Sequence, residues 1–203
     1  MTALILVDIQ NDFLPGGALA VPKGNTIIPI VNSLQTQFDL VVASQDWHPK
    51  NHASFASNHH KKQEFDVIDL NGTNQVLWPN HCVQGTHGAE FSSELNTARI
   101  AAIFRKGMLT QVDSYSAFFD NNKTHHTGLE AYLKSMQVTE VYVCGLAADY
   151  CVYFTAKDAK AAGFNTFYIT DATCYIDETS YQTAINDLTE NGVQLIKSTD
   201  INL

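Results

Sequence analysis

The chain has 203 residues, and its 12 Lys and Arg against 21 Asp and Glu give a formal charge of −9. That length suits one domain with a two-sided core, and that balance leaves no basic surface for phosphates, so nucleic acid is excluded from the expected partners. Apolar runs such as Ala3 to Val7 are too short to span a membrane and no basic segment precedes one as in a signal peptide, so the reading is a soluble, cytoplasmic protein without a membrane partner. The four cysteines (Cys82, Cys144, Cys151, Cys174) are widely spaced with no CxxC pair, which argues for reduced thiols rather than a disulfide framework or a cysteine-rich zinc knuckle.

Ala3 to Val7 is an unbroken β-prone run, the pattern of a strand buried on both faces in a parallel sheet, and it places Asp8 at the strand's carboxyl end. Gln10 to Gly24 is polar and turn-rich, with Pro15-Gly16-Gly17 and Pro22-Lys23-Gly24 as breakers. From Asn25 the positions Ile27, Ile30, Val31, Leu34 and Phe38 recur at helical spacing, and Leu40 to Ala43 is a second buried strand. That strand runs into Ser44-Gln45-Asp46-Trp47-His48. Asp46 and His48, two apart on an extended segment, project to the same side, so carboxylate and imidazole can converge on one divalent ion. His81 is the natural third ligand and His52 its rival, whereas His59 and His60 lie in a lysine-flanked polar run and read as solvated surface.

Ala98 to Phe104 is the apolar part of a third strand, which delivers Lys106 ahead of the Gly107 turn. Leu129, Tyr132, Leu133 and Met136 mark a short amphipathic helix. Val141 to Cys144 is the fourth strand; Gly145 breaks it, Asp149 stands where an N-cap would, and Cys151 falls in the first helical turn. There the helix dipole and unpaired N–H groups favour an anion, so the spacing predicts a thiolate that forms more easily than in free cysteine. Gly163 stops that helix; Phe164 to Thr170, Thr179 to Asn191 and Val193 to Ile196 follow as strand, helix and strand. The alternation predicts an α/β fold: one six-stranded, mostly parallel sheet with helices on both faces, a Rossmann-like three-layer arrangement filling 1–203. In it Asp8, Asp46, Lys106 and Cys151 all leave strands at one edge, where open sheets bind ligands.

These residues sit in five separated stretches: LILVDIQNDFLPGGALAV, SQDWHPKNHASFA, WPNHCVQGTHGAEF, FRKGMLTQVDSYSAF and VCGLAADYCVYFTAKDA. In that order they resemble the bacterial nicotinamidases (pyrazinamidase/nicotinamidase) of the isochorismatase-like cysteine hydrolase superfamily, over essentially the whole chain. The resemblance implies hydrolysis of nicotinamide, and of the related pyrazinamide, to the acid and ammonia through a Cys151 thioester, feeding NAD salvage. It implies a catalytic triad of Asp8, Lys106 and Cys151 and an oxyanion hole from the N–H groups of Ala147 and Cys151, with a cis bond between Leu146 and Ala147. It implies a ring pocket of Phe13, Leu19, Trp78 and Tyr115. It also implies one divalent metal on Asp46, His48 and His81, with His52 an extra ligand in some members; nitrogen and oxygen donors suit zinc, with iron or manganese as alternatives. Ala148, where many relatives carry threonine, departs from the pattern without touching these positions. Three other readings stay open: a relative acting on a carbamoyl or ureido amide, a metal- or ligand-binding module without catalysis, and a redox-sensing cysteine. No helix seam or apolar stripe indicates whether the chain is a monomer or a homo-oligomer.

Overall fold

The computed structural model describes residues 1–203. In chain order its elements are β1 (Thr2–Val7), α1 (Ile28–Leu34), β2 (Leu40–Asp46), a hairpin of β3 (Val67–Leu70) and β4 (Thr73–Val76), β5 (Ile100–Lys106), α2 (Leu129–Ser135), β6 (Glu140–Leu146), α3 (Cys151–Ala161), β7 (Asn165–Cys174), α4 (Glu178–Glu190) and β8 (Gln194–Ile196). Six strands form one sheet in the order β5-β2-β1-β6-β7-β8, and every neighbouring pair in it is parallel.

The unbroken apolar run of β1 explains its central place. Ala3, Ile5 and Val7 pack on one face with Leu129, Leu133, Val152, Ala156 and Leu188, from α2, α3 and α4. Leu4 and Leu6 face the other way, onto Ile28, Val31 and Leu34 of α1 and onto Phe13, Leu19 and Trp78 from the loops. Helices therefore cover both faces as expected, but unequally: three stand on one side, and on the other the seven-residue α1 shares the work with long loops. Those loops are free to carry site residues.

Several boundaries differ from the sequence pattern. The periodic stretch from Asn25 to Phe38 is α1 flanked by short 3-10 turns, and β5 begins at Ile100 rather than Ala98. Gly145 does not break β6; it lies inside it at φ +122°, where a Cβ would collide with the backbone of Val7. β7 runs past Thr170 to Cys174, because Thr173 and Cys174 resume pairing with Gly145 and Leu146 after a register shift. The β3–β4 hairpin has no counterpart in the predicted elements.

Candidate active site

Every residue expected at the sheet's carboxyl edge arrives there. Asp8 follows β1 in a left-handed conformation, φ 48°, and is fully buried. Asp46 ends β2, Lys106 ends β5, and Cys151 opens α3. The Lys106 ammonium joins them: Nζ donates to Asp46 Oδ1 at 2.7 Å, to the Ser114 carbonyl at 2.9 Å and to Cys151 Sγ at 3.3 Å. Asp8 Oδ2 lies 2.9 Å from the same nitrogen, a fully buried ion pair. The other oxygen, Oδ1, accepts from Ser44 Oγ at 2.7 Å.

Protonation follows from burial and from this shared cation. Burial raises Asp8 above the usual carboxylate range, and the nearby Asp46 charge adds to it, against the pull of Lys106. Burial also works against ionisation of Asp46, but there Lys106 and His48 win and hold the carboxyl well below its ordinary range. Lys106 is buried too, yet the two carboxylates keep it charged. Burial pushes the Cys151 thiol well up, against the pull of Lys106, and the charges of Asp8 and Asp46 add to the rise. This corrects the expectation of a ready thiolate. The resting thiol keeps its proton, so a base must take it as the sulfur reacts.

Asp149 is a second correction. The N-cap of α3 is Tyr150, with no side-chain cap bond. Asp149 instead accepts from the N–H groups of Ile176 and Asp177, both at 3.0 Å, and from Ser180 Oγ at 2.6 Å. It fastens the turn before Cys151 to the start of α4. The Leu146–Ala147 peptide is cis, and the N–H groups of Ala147 and Cys151 have no acceptor within the chain.

Phe13, Leu19, Trp78 and Tyr115 do line one pocket, whose floor includes Ala147 and Cys151. Three further lining residues were missed: Asp113, Tyr150 and Ile176. Asp113 lies two positions before Tyr115 and Tyr150 adjoins Cys151, and that nearness is the available signal; nothing in the sequence marks Ile176. Tyr150 stands edge-on to Trp78, ring centres 4.8 Å apart, making the wall aromatic on two sides.

Beside the pocket, donor atoms of Asp46, His48 and His81 lie within 4.8 Å of one another. His48 Nδ1 contacts the Gly107 carbonyl at 2.9 Å and His81 Nδ1 the Pro79 carbonyl at 2.8 Å. A carbonyl only accepts, so each Nδ1 carries a hydrogen and Nε2 is the nitrogen left to act as a ligand. Both Nε2 atoms face Asp46 Oδ2, at 3.3 and 3.6 Å. Two imidazole nitrogens and a carboxylate oxygen converging on one point are a metal-ligand set, and backbone carbonyls orienting the rings through Nδ1 are the usual outer support of histidine ligands. The residues therefore fit a divalent metal. His52 is not in this cluster: its Nδ1 meets Ser54 Oγ at 2.7 Å, and it groups instead with His48 and Asp113. His59, read as surface, is tied by Nε2 to the Ala53 carbonyl at 2.7 Å.

Comparison with known proteins agrees with this geometry. The sequence profile of the isochorismatase domain matches residues 2–200. A nicotinamidase of Acinetobacter baylyi is 50% identical over 200 residues, 98% of this chain and 94% of the relative. Among solved structures, a nicotinamidase and pyrazinamidase of Acinetobacter baumanii superposes with a TM-score of 0.96 at 50% identity, covering 98% of this chain and 97% of that one. A pyrazinamidase of Pyrococcus horikoshii, in complex with zinc, superposes at 0.79 with 36% identity, covering 97% and 98%.

Proposed function

The chain belongs to the isochorismatase-domain family, and from that membership and the chemistry of its cleft we propose that it hydrolyses nicotinamide to nicotinate and ammonia. The observation that carries the reading is that Lys106 joins Asp8 to Cys151, and that Cys151 lines an aromatic-walled pocket. Relatives named nicotinamidase support the substrate, and the aromatic lining of Phe13, Trp78 and Tyr115 favours a ring over a ureido amide.

In this reading the Cys151 S–H bond breaks as its proton moves to Asp8, and the sulfur pair forms a bond to the amide carbon. The carbonyl oxygen becomes an oxyanion and takes the two free N–H groups of Ala147 and Cys151, each worth on the order of 3 kcal/mol in comparable acyl transfers. Collapse breaks the C–N bond, and Asp8 returns the proton to the departing nitrogen, releasing ammonia. Water, deprotonated by the same carboxylate, then cleaves the thioester to nicotinate and restores the thiol. Lys106 stays charged throughout and offsets negative charge on Asp8 and on sulfur. Asp46, His48 and His81 would hold a divalent ion, zinc first among the candidates, which supplies a Lewis acid able to take up a ring nitrogen and water. Phe13, Leu19, Trp78 and Tyr115 would clamp the ring.

The product would return to NAD synthesis, and four free thiols suit the reducing cytoplasm. Ammonia release should be measured for nicotinamide, a ureido amide and isochorismate with zinc supplied. Turnover of nicotinamide alone supports the reading; no turnover of nicotinamide, or equal turnover of the ureido compound, overturns it.

A further inference from the structure

We propose that Ser44 is a positioning residue for the base, and that its hydroxyl decides which oxygen of Asp8 takes the proton of Cys151. This rests on the proposed cysteine mechanism. Ser44 follows four buried apolar residues, Leu40 to Ala43, on β2 and is itself 0% exposed. A hydroxyl buried in the middle of a sheet is unfavourable unless it is hydrogen-bonded, and nothing in the packing of β2 requires one. Its single partner is Asp8 Oδ1, at 2.7 Å. The serine is thus explained by the carboxylate it holds.

The carboxylate has a reason to need holding. The terminal torsion of aspartate is broad and roughly two-fold, so its two oxygens exchange easily unless one is fixed. Here Oδ1 is engaged by Ser44, while Oδ2 forms the 2.9 Å buried ion pair with Lys106 Nζ. Oδ2 is thereby held on the side of Lys106, whose Nζ also contacts the Cys151 sulfur at 3.3 Å, and a carboxylate oxygen that accepts one hydrogen bond keeps a second lone pair for the thiol proton. In the chemical step the S–H bond breaks, an O–H bond forms at Oδ2 and the sulfur pair forms the bond to carbon. Oδ1 keeps its serine bond from start to finish. Without Ser44 the carboxylate turns and presents an averaged orientation to the thiol.

The test compares Ser44→Ala with Ser44→Thr, which keeps the hydroxyl, by steady-state kinetics on nicotinamide and by crystal structures of both variants. Ser44→Ala should lower kcat about tenfold at unchanged KM and metal content. Its Asp8 carboxylate should be rotated or split between orientations, and Ser44→Thr should restore both rate and orientation. An unrotated Asp8 in Ser44→Ala overturns the proposal whatever the rate, and so does an unchanged kcat or a Ser44→Thr variant that behaves like Ser44→Ala. Wild-type protein silent on nicotinamide would overturn the mechanism, while the two crystal structures would still decide whether Ser44 sets the carboxylate.

Discussion

A single ammonium holds the site together, because Lys106 lies between two carboxylates and the sulfur, all buried. Buried charges persist only when paired, and here each carboxylate keeps the lysine charged as the lysine in turn favours the carboxylates. His52, a few residues from the metal candidates, behaves oppositely. Burial drives its pKa from 6.5 down to about 4, so the folded protein holds it neutral. The sign follows from linkage: above pH 6.5 neither state binds the proton, between 6.5 and 4 only the unfolded chain does, and below 4 both do. Stability of metal-free protein should therefore fall by about 3 kcal/mol of His52 contribution as pH drops through that window. Denaturant unfolding of wild type and His52→Asn at pH 7, 5.5 and 4 checks it; the gap between them should narrow with acid, and a constant gap would contradict it.

Among the elements, the turn from β6 into α3 does the most for function, and its neighbours show what the sequence could and could not reveal. The strand ends were legible because continuous apolar runs mark buried parallel strands, and Asp8, Lys106 and Cys151 follow those runs directly. Asp149 was misplaced because capping is a local rule, whereas its partners, Ile176, Asp177 and Ser180, come from another part of the chain. The β3–β4 hairpin had a local mark in Asn71-Gly72, both at positive φ, but its short, largely exposed strands lack a clear apolar alternation. Gly145 read as a breaker since glycine usually is one; in the sheet it permits the close approach of β6 to Val7 at φ +122°. Gly145→Ala should thus cost about 3 kcal/mol or more and lower Tm by roughly 6 to 12 °C in a chain of this size. An unaltered melting curve would contradict that role.

For the molecule as a whole, the unequal covering of the sheet separates scaffold from chemistry. Three helices pack one face; α1 shares the opposite face with loops, and the loops at the carboxyl edge bring Phe13, His48, Trp78 and His81 together from distant parts of the sequence. A metal on Asp46, His48 and His81 would bind only the folded chain, because the three donors meet only after β2 and the 77–82 loop have packed. At a hundredfold excess over Kd such binding adds about 2.7 kcal/mol. Removing metal with a chelator should lower Tm by roughly 5 to 10 °C, with recovery on adding zinc and no response in His48→Ala. Equal melting with and without chelator would place no metal there.

The central claim is a covalent intermediate on Cys151, formed as Asp8 takes the thiol proton. Rapid acid quenching of enzyme mixed with excess nicotinamide, followed by intact-mass and peptide mass spectrometry, reads it directly. A nicotinoyl adduct confined to the Cys151 peptide, absent in Cys151→Ala together with ammonia release, is the predicted result. Ammonia release that persists in Cys151→Ala would contradict the account.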